Sequence, residues 1–186
     1  SEIREYERTS TTVINSYLGP IVKGYLDSLV RQLRESNIGA ALRIMQSNGG
    51  VMSAAKAAES PVQIVESGPA AGVVAALRVG QRIGVSNIIS FDMGGTTAKA
   101  TLIEQFEPDL VNTFEVARMY RFKKGSGFPV SVPSVDLVEI GAGGGSLARV
   151  DQFGLLKVGP ESAGAEPGPA CYGQGGTVPA VTDADL

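Results

Sequence analysis

From residue 11 to residue 35 the apolar side chains Val13, Ile14, Tyr17, Leu18, Ile21, Val22, Tyr25, Leu26, Leu29, Val30 and Leu33 return at intervals of three and four positions. That spacing predicts an amphipathic helix packed on a core. Pro20 lies inside it and predicts a division or kink, because proline removes a backbone donor and crowds the preceding turn. The pattern then shortens. Residues 41–46 (A-L-R-I-M-Q) predict a short strand, and Ser47-Asn48-Gly49-Gly50 predicts a turn. Ser53 caps a short helix that runs to Glu59 and stops at Ser60-Pro61, while residues 62–65 predict a short strand or an extended lead-in. An alanine-rich stretch over 70–83 predicts a helix that Gly84 ends. Ser67-Gly68-Pro69 before it suits a cap, and the amides exposed there also suit an anion.

The second part changes period. Ile88, Ile89 and Phe91 lead to Asp92, Gly94-Gly95, Thr96 and Thr97, after which Ala98, Ala100 and Leu102 alternate. This predicts a strand, a tight turn and a second strand over 87–104, the stretch around which the chain is organised. Residues 111–121 alternate as a further strand, and Lys123-Lys124-Gly125-Ser126-Gly127 predicts a loop, either solvated or basic enough to meet a phosphate. Residues 135–140 predict a strand that runs into Gly141-Ala142-Gly143-Gly144-Gly145-Ser146. Such a glycine run suits close approach of backbone to a ligand and equally a crowded turn. Residues 147–150 and 155–158 predict a hairpin around Asp151-Gln152-Phe153-Gly154, and a Gly/Pro-rich coil follows up to a helix entry at 181–186.

The turn at 94–97 is the place where residue types point to chemistry. A glycine pair lets backbone turn sharply, visit positive φ and present bare N–H groups. Thr96 and Thr97 add hydroxyls, and Asp92 at the strand end is placed to hold a cation or orient a water. Together they suit a metal-bound phosphate, although a plain Gly-Gly hairpin needs bind nothing.

Composition narrows the field by exclusion. The 186 residues include no histidine and one cysteine, Cys171. This excludes a Ser-His-Asp triad, a Cys-His pair, an imidazole zinc site and an internal disulfide within the chain. Cys171 without an activating base reads as a buried or neutral thiol. A net charge of −3, with basic residues scattered, excludes a nucleic-acid footprint. No apolar run is long enough for a membrane span, and no signal-peptide pattern opens the chain, so the expected location is cytoplasmic.

Five ordered strings add a resemblance. M-Q-S-N-G-G (45–50), E-S-G-P-A-A-G (66–72), F-D-M-G-G-T-T-A-K-A (91–100), E-I-G-A-G-G-G-S (139–146) and V-G-P-E-S-A-G-A-E-P-G-P-A-C-Y-G (158–173) resemble the hydantoinase A / oxoprolinase family. The resemblance implies an α/β, ribonuclease-H-like fold of the actin, sugar-kinase and heat-shock ATPase superfamily, present in part. Residues 1–84 would be the end of the first ATPase half with the connecting helix, and residues 85–186 the start of the second. The first half's phosphate motif is not among these residues, so the expectation is a piece of a longer protein, inactive in isolation.

The implied activity is ATP-dependent hydrolysis of a cyclic amide, a hydantoin or oxoproline, through phosphorylation of the ring carbonyl. The alternatives are a subunit of an ATP-dependent ketone carboxylase of the acetone or acetophenone type, and a non-catalytic nucleotide-binding regulator. On this resemblance Gly94, Gly95, Thr96 and Thr97 cradle phosphate, and Gly143, Gly144, Gly145 and Ser146 form a second cofactor-binding loop. Asp92 holds Mg²⁺ or positions a water, and a second subunit of the hydantoinase B type is the implied partner. Lys99 stands where many members carry an aspartate, and Val138 where many carry a histidine.

Overall fold

The structure is a computed structural model that describes residues 3–119 and 125–186. It is an α/β chain. The helix α1 (Glu5–Glu35) is followed by β1 (Arg43–Met45), β2 (Val51–Ser53), α2 (Ala54–Glu59), a 3₁₀ turn (Pro61–Ile64) and α3 (Ser67–Ile83). Strands β3 (Ile88–Met93), β4 (Ala98–Glu104), β5 (Glu107–Pro108), β6 (Leu110–Val111), β7 (Phe114–Val116), β8 (Phe128–Val130), β9 (Ser134–Val135) and β10 (Val138–Ile140) come next. The chain finishes with β11 (Ser146–Val150), β12 (Leu156–Ser162), a 3₁₀ turn (Ala170–Tyr172) and α4 (Val181–Ala184). The chain divides into two compact units, one of residues 1–86 and 104–136, the other of residues 87–103 and 137–186.

In the first unit α1 begins earlier than its apolar stripe predicts, because Glu5 and Glu7 in its first turn complement the positive end of the helix. Pro20 does not divide it. Ile14, before the proline, packs beside Val62, Val130 and Val132, while Val22 and Leu26, after it, pack with Met52 and Ala57. With both halves docked and Pro20 itself exposed, packing on either side carries the helix through the lost backbone bond. Ser53 caps α2 as predicted, its hydroxyl accepting from Lys56 N at 3.2 Å. Gly84 ends α3 with φ 73°, again as predicted, but Ser67, Gly68 and Pro69 are its first turn and no side chain caps it.

Three predicted strands are corrected. Residues 62–65 are mostly 3₁₀ turn, because Ser47 captures their backbone: its hydroxyl donates to Gln63 O at 3.0 Å and accepts from Glu66 N at 3.1 Å. The strand predicted over 111–121 is broken, with β6 pairing β9 and β7 pairing β8. It ends where Ala117 takes φ 52°; residues 120 and 121, like Lys123 and Lys124 of the predicted loop, lie outside the described residues. The strand predicted over 135–140 is two strands, β9 in the first unit and β10 in the second.

The second unit carries the β3–β4 hairpin, with β10 on the other side of β4, all antiparallel. The hairpin β11–β12 forms as predicted. Opposed residues share a face, so Asp92, Lys99 and Glu139 form one cross-strand row. On the other face Ile89, Phe91, Leu102 and Val138 are exposed.

Candidate functional site

The register of β3 against β4 pairs Asp92 with Lys99 and Met93 with Ala98, which leaves Gly94, Gly95, Thr96 and Thr97 as the turn. Gly94 N donates to Thr97 O at 2.9 Å and closes it. Neither glycine has positive φ, contrary to the expectation from a glycine pair. What the glycines supply is bare backbone. A Cβ added at Gly95 would meet nothing within 4 Å, and one at Gly94 would meet only Thr97 O, at 3.7 Å.

The glycine run after β10 lies against this turn from within the same unit. Gly144 N donates to Gly94 O at 2.9 Å, and Gly145 N donates to Gly95 O at 2.7 Å. Gly143 N donates to the Ser146 hydroxyl at 2.9 Å, and Ser146 N returns a bond to Gly143 O at 3.0 Å. All four N–H groups of residues 143–146 are therefore engaged inside the chain. The glycines are required by the approach itself: a Cβ at Gly143 would stand 2.6 Å from Gly94 O and 2.7 Å from the carbonyl carbons of Gly95 and Thr96. Here the crowded turn and the site are one arrangement, because the run holds the hairpin turn from one side.

The outward groups of the hairpin turn are uncommitted. Among the described residues the amides of Gly95, Thr96 and Thr97 make no hydrogen bond, and neither do the two threonine hydroxyls. Asp92 is exposed, and its carboxylate has no partner among the described residues. Three successive amides with two hydroxyls form a donor set of the kind that binds phosphate oxygens, and a carboxylate beside it suits a hard cation.

The family profile of the hydantoinase/oxoprolinases matches residues 8–186, which include every residue of this site. The chain belongs to the hydantoinase/oxoprolinase family. Among relatives, an uncharacterised protein of Methanocaldococcus jannaschii is 47% identical over all of this chain and 28% of its own length. Caprolactamase subunit alpha of Pseudomonas jessenii is 43% identical over all of this chain and 25% of its own. The crystal structure of that ATP-dependent caprolactamase superposes with a TM-score of 0.70 at 40% identity, over all of this chain and 26% of the other. A nucleotide-free acetone carboxylase superposes with a TM-score of 0.75 at 28% identity, over 98% of this chain and 24% of the other. This hydantoinase/oxoprolinase chain thus spans about a quarter of the length of these relatives.

Residues 182 and 183 belong to the same unit and were legible in the sequence only as a helix entry. Thr182 donates twice to Gly144 O, from its amide and from its hydroxyl, both at 2.8 Å. Asp183 accepts from Ala180 N at 2.6 Å, Cys171 N at 2.7 Å and Ala170 N at 3.2 Å. Cys171 is exposed, not buried, and the Asp183 carboxylate beside it pushes its thiol up, which keeps it protonated.

The amides of Ala180 and Cys171 hold the Asp183 carboxyl at about 2, below its ordinary 3.8. A carboxylate with a depressed value stabilises the fold above the unfolded value, and that contribution fades as pH falls through the folded one. Over the window from 3.8 down to about 2, the thermal midpoint of the wild-type protein is expected to converge on that of Asp183→Asn, which starts lower at pH 6. Parallel curves across that window would show that the charge of Asp183 does not hold the segment.

No described helix is long and apolar enough to cross a membrane.

Proposed function

We propose that this chain is part of an ATP-dependent enzyme that opens a cyclic amide, and that the 94–97 turn is its phosphate clamp. The observation that carries the reading is the set of uncommitted amides and hydroxyls on a turn held from behind by residues 143–146, with Asp92 exposed beside it. On this reading the γ-phosphoryl group passes from ATP to the ring carbonyl oxygen and ADP leaves. Water then adds to the activated carbon, the C–N bond breaks as the ring nitrogen leaves with a proton, and a second water hydrolyses the resulting acyl phosphate to carboxylate and phosphate. The chain's own part is positioning and charge neutralisation: Gly95, Thr96 and Thr97 donate to phosphate oxygens. Gly143, Gly144, Gly145 and Ser146 serve the site through the turn they hold.

One carboxylate next to a phosphate cradle fits Mg²⁺, which is commonly held by one or two carboxylates together with phosphate oxygens and waters. Asp92 would hold it, and the ion would supply charge neutralisation on the phosphates. The fold we assign is the ribonuclease-H-like ATPase architecture. In it residues 1–84 belong to the first half, α3 is the connecting helix and residues 85–186 begin the second half. A second subunit, of the hydantoinase B type, is the proposed partner; the name of the caprolactamase relative, a subunit alpha, supports it.

The test is ADP release by the full-length protein with its partner subunit, supplied with caprolactam, 5-oxoproline or a hydantoin. ADP formation coupled to ring opening is the expected result, and ring opening at full rate without ATP overturns the reading. A second reading, a ketone carboxylase subunit, is supported by the higher TM-score with acetone carboxylase, 0.75 against 0.70. The higher sequence identity to the caprolactamase, 40% against 28%, favours the first. ADP release that requires both a ketone and bicarbonate would decide for the second.

A further inference from the structure

We infer that Thr182 is a positioning residue for the phosphate clamp, acting through a relay of peptide units that ends at the free amide of Thr96. The inference rests on the phosphate-binding reading of the turn.

The relay is read from shared peptide units. The carbonyl of Gly144 and the N–H of Gly145 belong to one peptide. Thr182 donates twice to that carbonyl, with its amide and its hydroxyl at 2.8 Å each. The N–H on the other side of the same peptide makes the 2.7 Å bond to Gly95 O. The carbonyl of Gly95 in turn shares its peptide with the N–H of Thr96, which has no partner in the chain. A carbonyl that accepts hydrogen bonds polarises its peptide and makes the N–H a stronger donor, by roughly 10–30% per bond. Two donors on Gly144 O therefore strengthen the hold on Gly95 and sharpen the Thr96 N–H for an anion.

Thr182 is itself fixed. Ala148 N donates to Pro179 O at 2.8 Å, Leu147 bridges to Ala180, and Asp183 holds the Ala180 amide. The hydroxyl thus reaches Gly144 from a tethered backbone. The glycine there also leaves it room: a Cβ at 144 would stand 2.7 Å from Thr182 Oγ1.

The consequence falls on turnover. A turn held less firmly still meets ground-state nucleotide, but its amides match the charge that develops on the transferring phosphoryl group less well. Such a loss appears in kcat before it appears in KM. The experiment uses the full-length enzyme with its partner subunit, varied MgATP and saturating cyclic amide, with kcat referred to nucleotide-binding sites. Thr182→Val keeps shape and backbone amide but removes the hydroxyl donor. It is expected to lower kcat about tenfold, leave the ATP KM within about twofold and barely move the thermal midpoint. Thr182→Ser, which restores the donor, is expected to recover kcat to within about twofold.

Equal kcat for both variants, whether at the wild-type level or equally reduced, overturns the inference, because the hydroxyl would then not matter. Asp92→Asn assayed alongside separates the two layers. If it keeps full activity, the phosphate reading fails and the inference falls with it. If it is inactive while both Thr182 variants match the wild type, only the role of Thr182 fails.

Discussion

Gly143→Ala is expected to inactivate the full-length enzyme by displacing the 94–97 turn. The added methyl would lie 2.6 Å from Gly94 O and 2.7 Å from the carbonyl carbons of Gly95 and Thr96. These are backbone atoms of the turn itself, and they cannot rotate aside as a long side chain can. Either the turn moves or the bonds from Gly144 N and Gly145 N to it break. A displacement of about 1 Å in a positioning element costs on the order of 10²-fold in rate. ATP-dependent turnover is therefore expected to fall by about that factor or more, and overpacking to lower stability by about 1–3 kcal/mol. Gly95→Ala is the structural comparison, since its methyl meets nothing within 4 Å and should leave the thermal midpoint in place. Wild-type kinetics and melting for Gly143→Ala would mean that the close approach of the two segments is not required.

Asp92→Asn separates chemistry from folding in the opposite sense. The carboxylate is exposed and touches no partner among the described residues, so its loss removes no internal contact. Stability is expected to stay within about 0.5 kcal/mol of the wild type. Removing a charge that holds a cation or orients the attacking water is expected to lower ATP-dependent turnover by about 10²–10⁴-fold. Steady-state ADP release and a melting curve on one preparation check both halves of this expectation. Retained turnover takes Asp92 out of the mechanism and the phosphate reading of the turn with it, and a collapsed midpoint makes Asp92 structural.

The hairpin was legible because it is local. Its two strands meet across a four-residue turn, and alternation, a glycine pair and the flanking Asp92 all lie within one stretch of sequence. The Ser53 cap and the Gly84 stop were legible for the same reason. The failures have one cause. Pro20 was read from its local effect, whereas packing on both sides of it decided that α1 continues. Residues 62–65 and 135–140 were read as continuous segments, although their backbone partners come from elsewhere: Ser47 for the first, and β6 and β4 for the two parts of the second.

The sequence by itself determined the family, the α/β character and the donor-rich turn, because residue type and short spacing carry those. It left the glycine run at 143–145 open between ligand loop and crowded turn. Only the tertiary structure decided that the Gly144 and Gly145 amides donate to Gly94 and Gly95, and that Thr182 stands behind Gly144. The physical reason is that these are mostly bonds between backbone groups far apart in the chain. A peptide N–H and C=O are the same in every residue except proline, so such a bond leaves its trace in the sequence only where a side chain must be absent, as at Gly143.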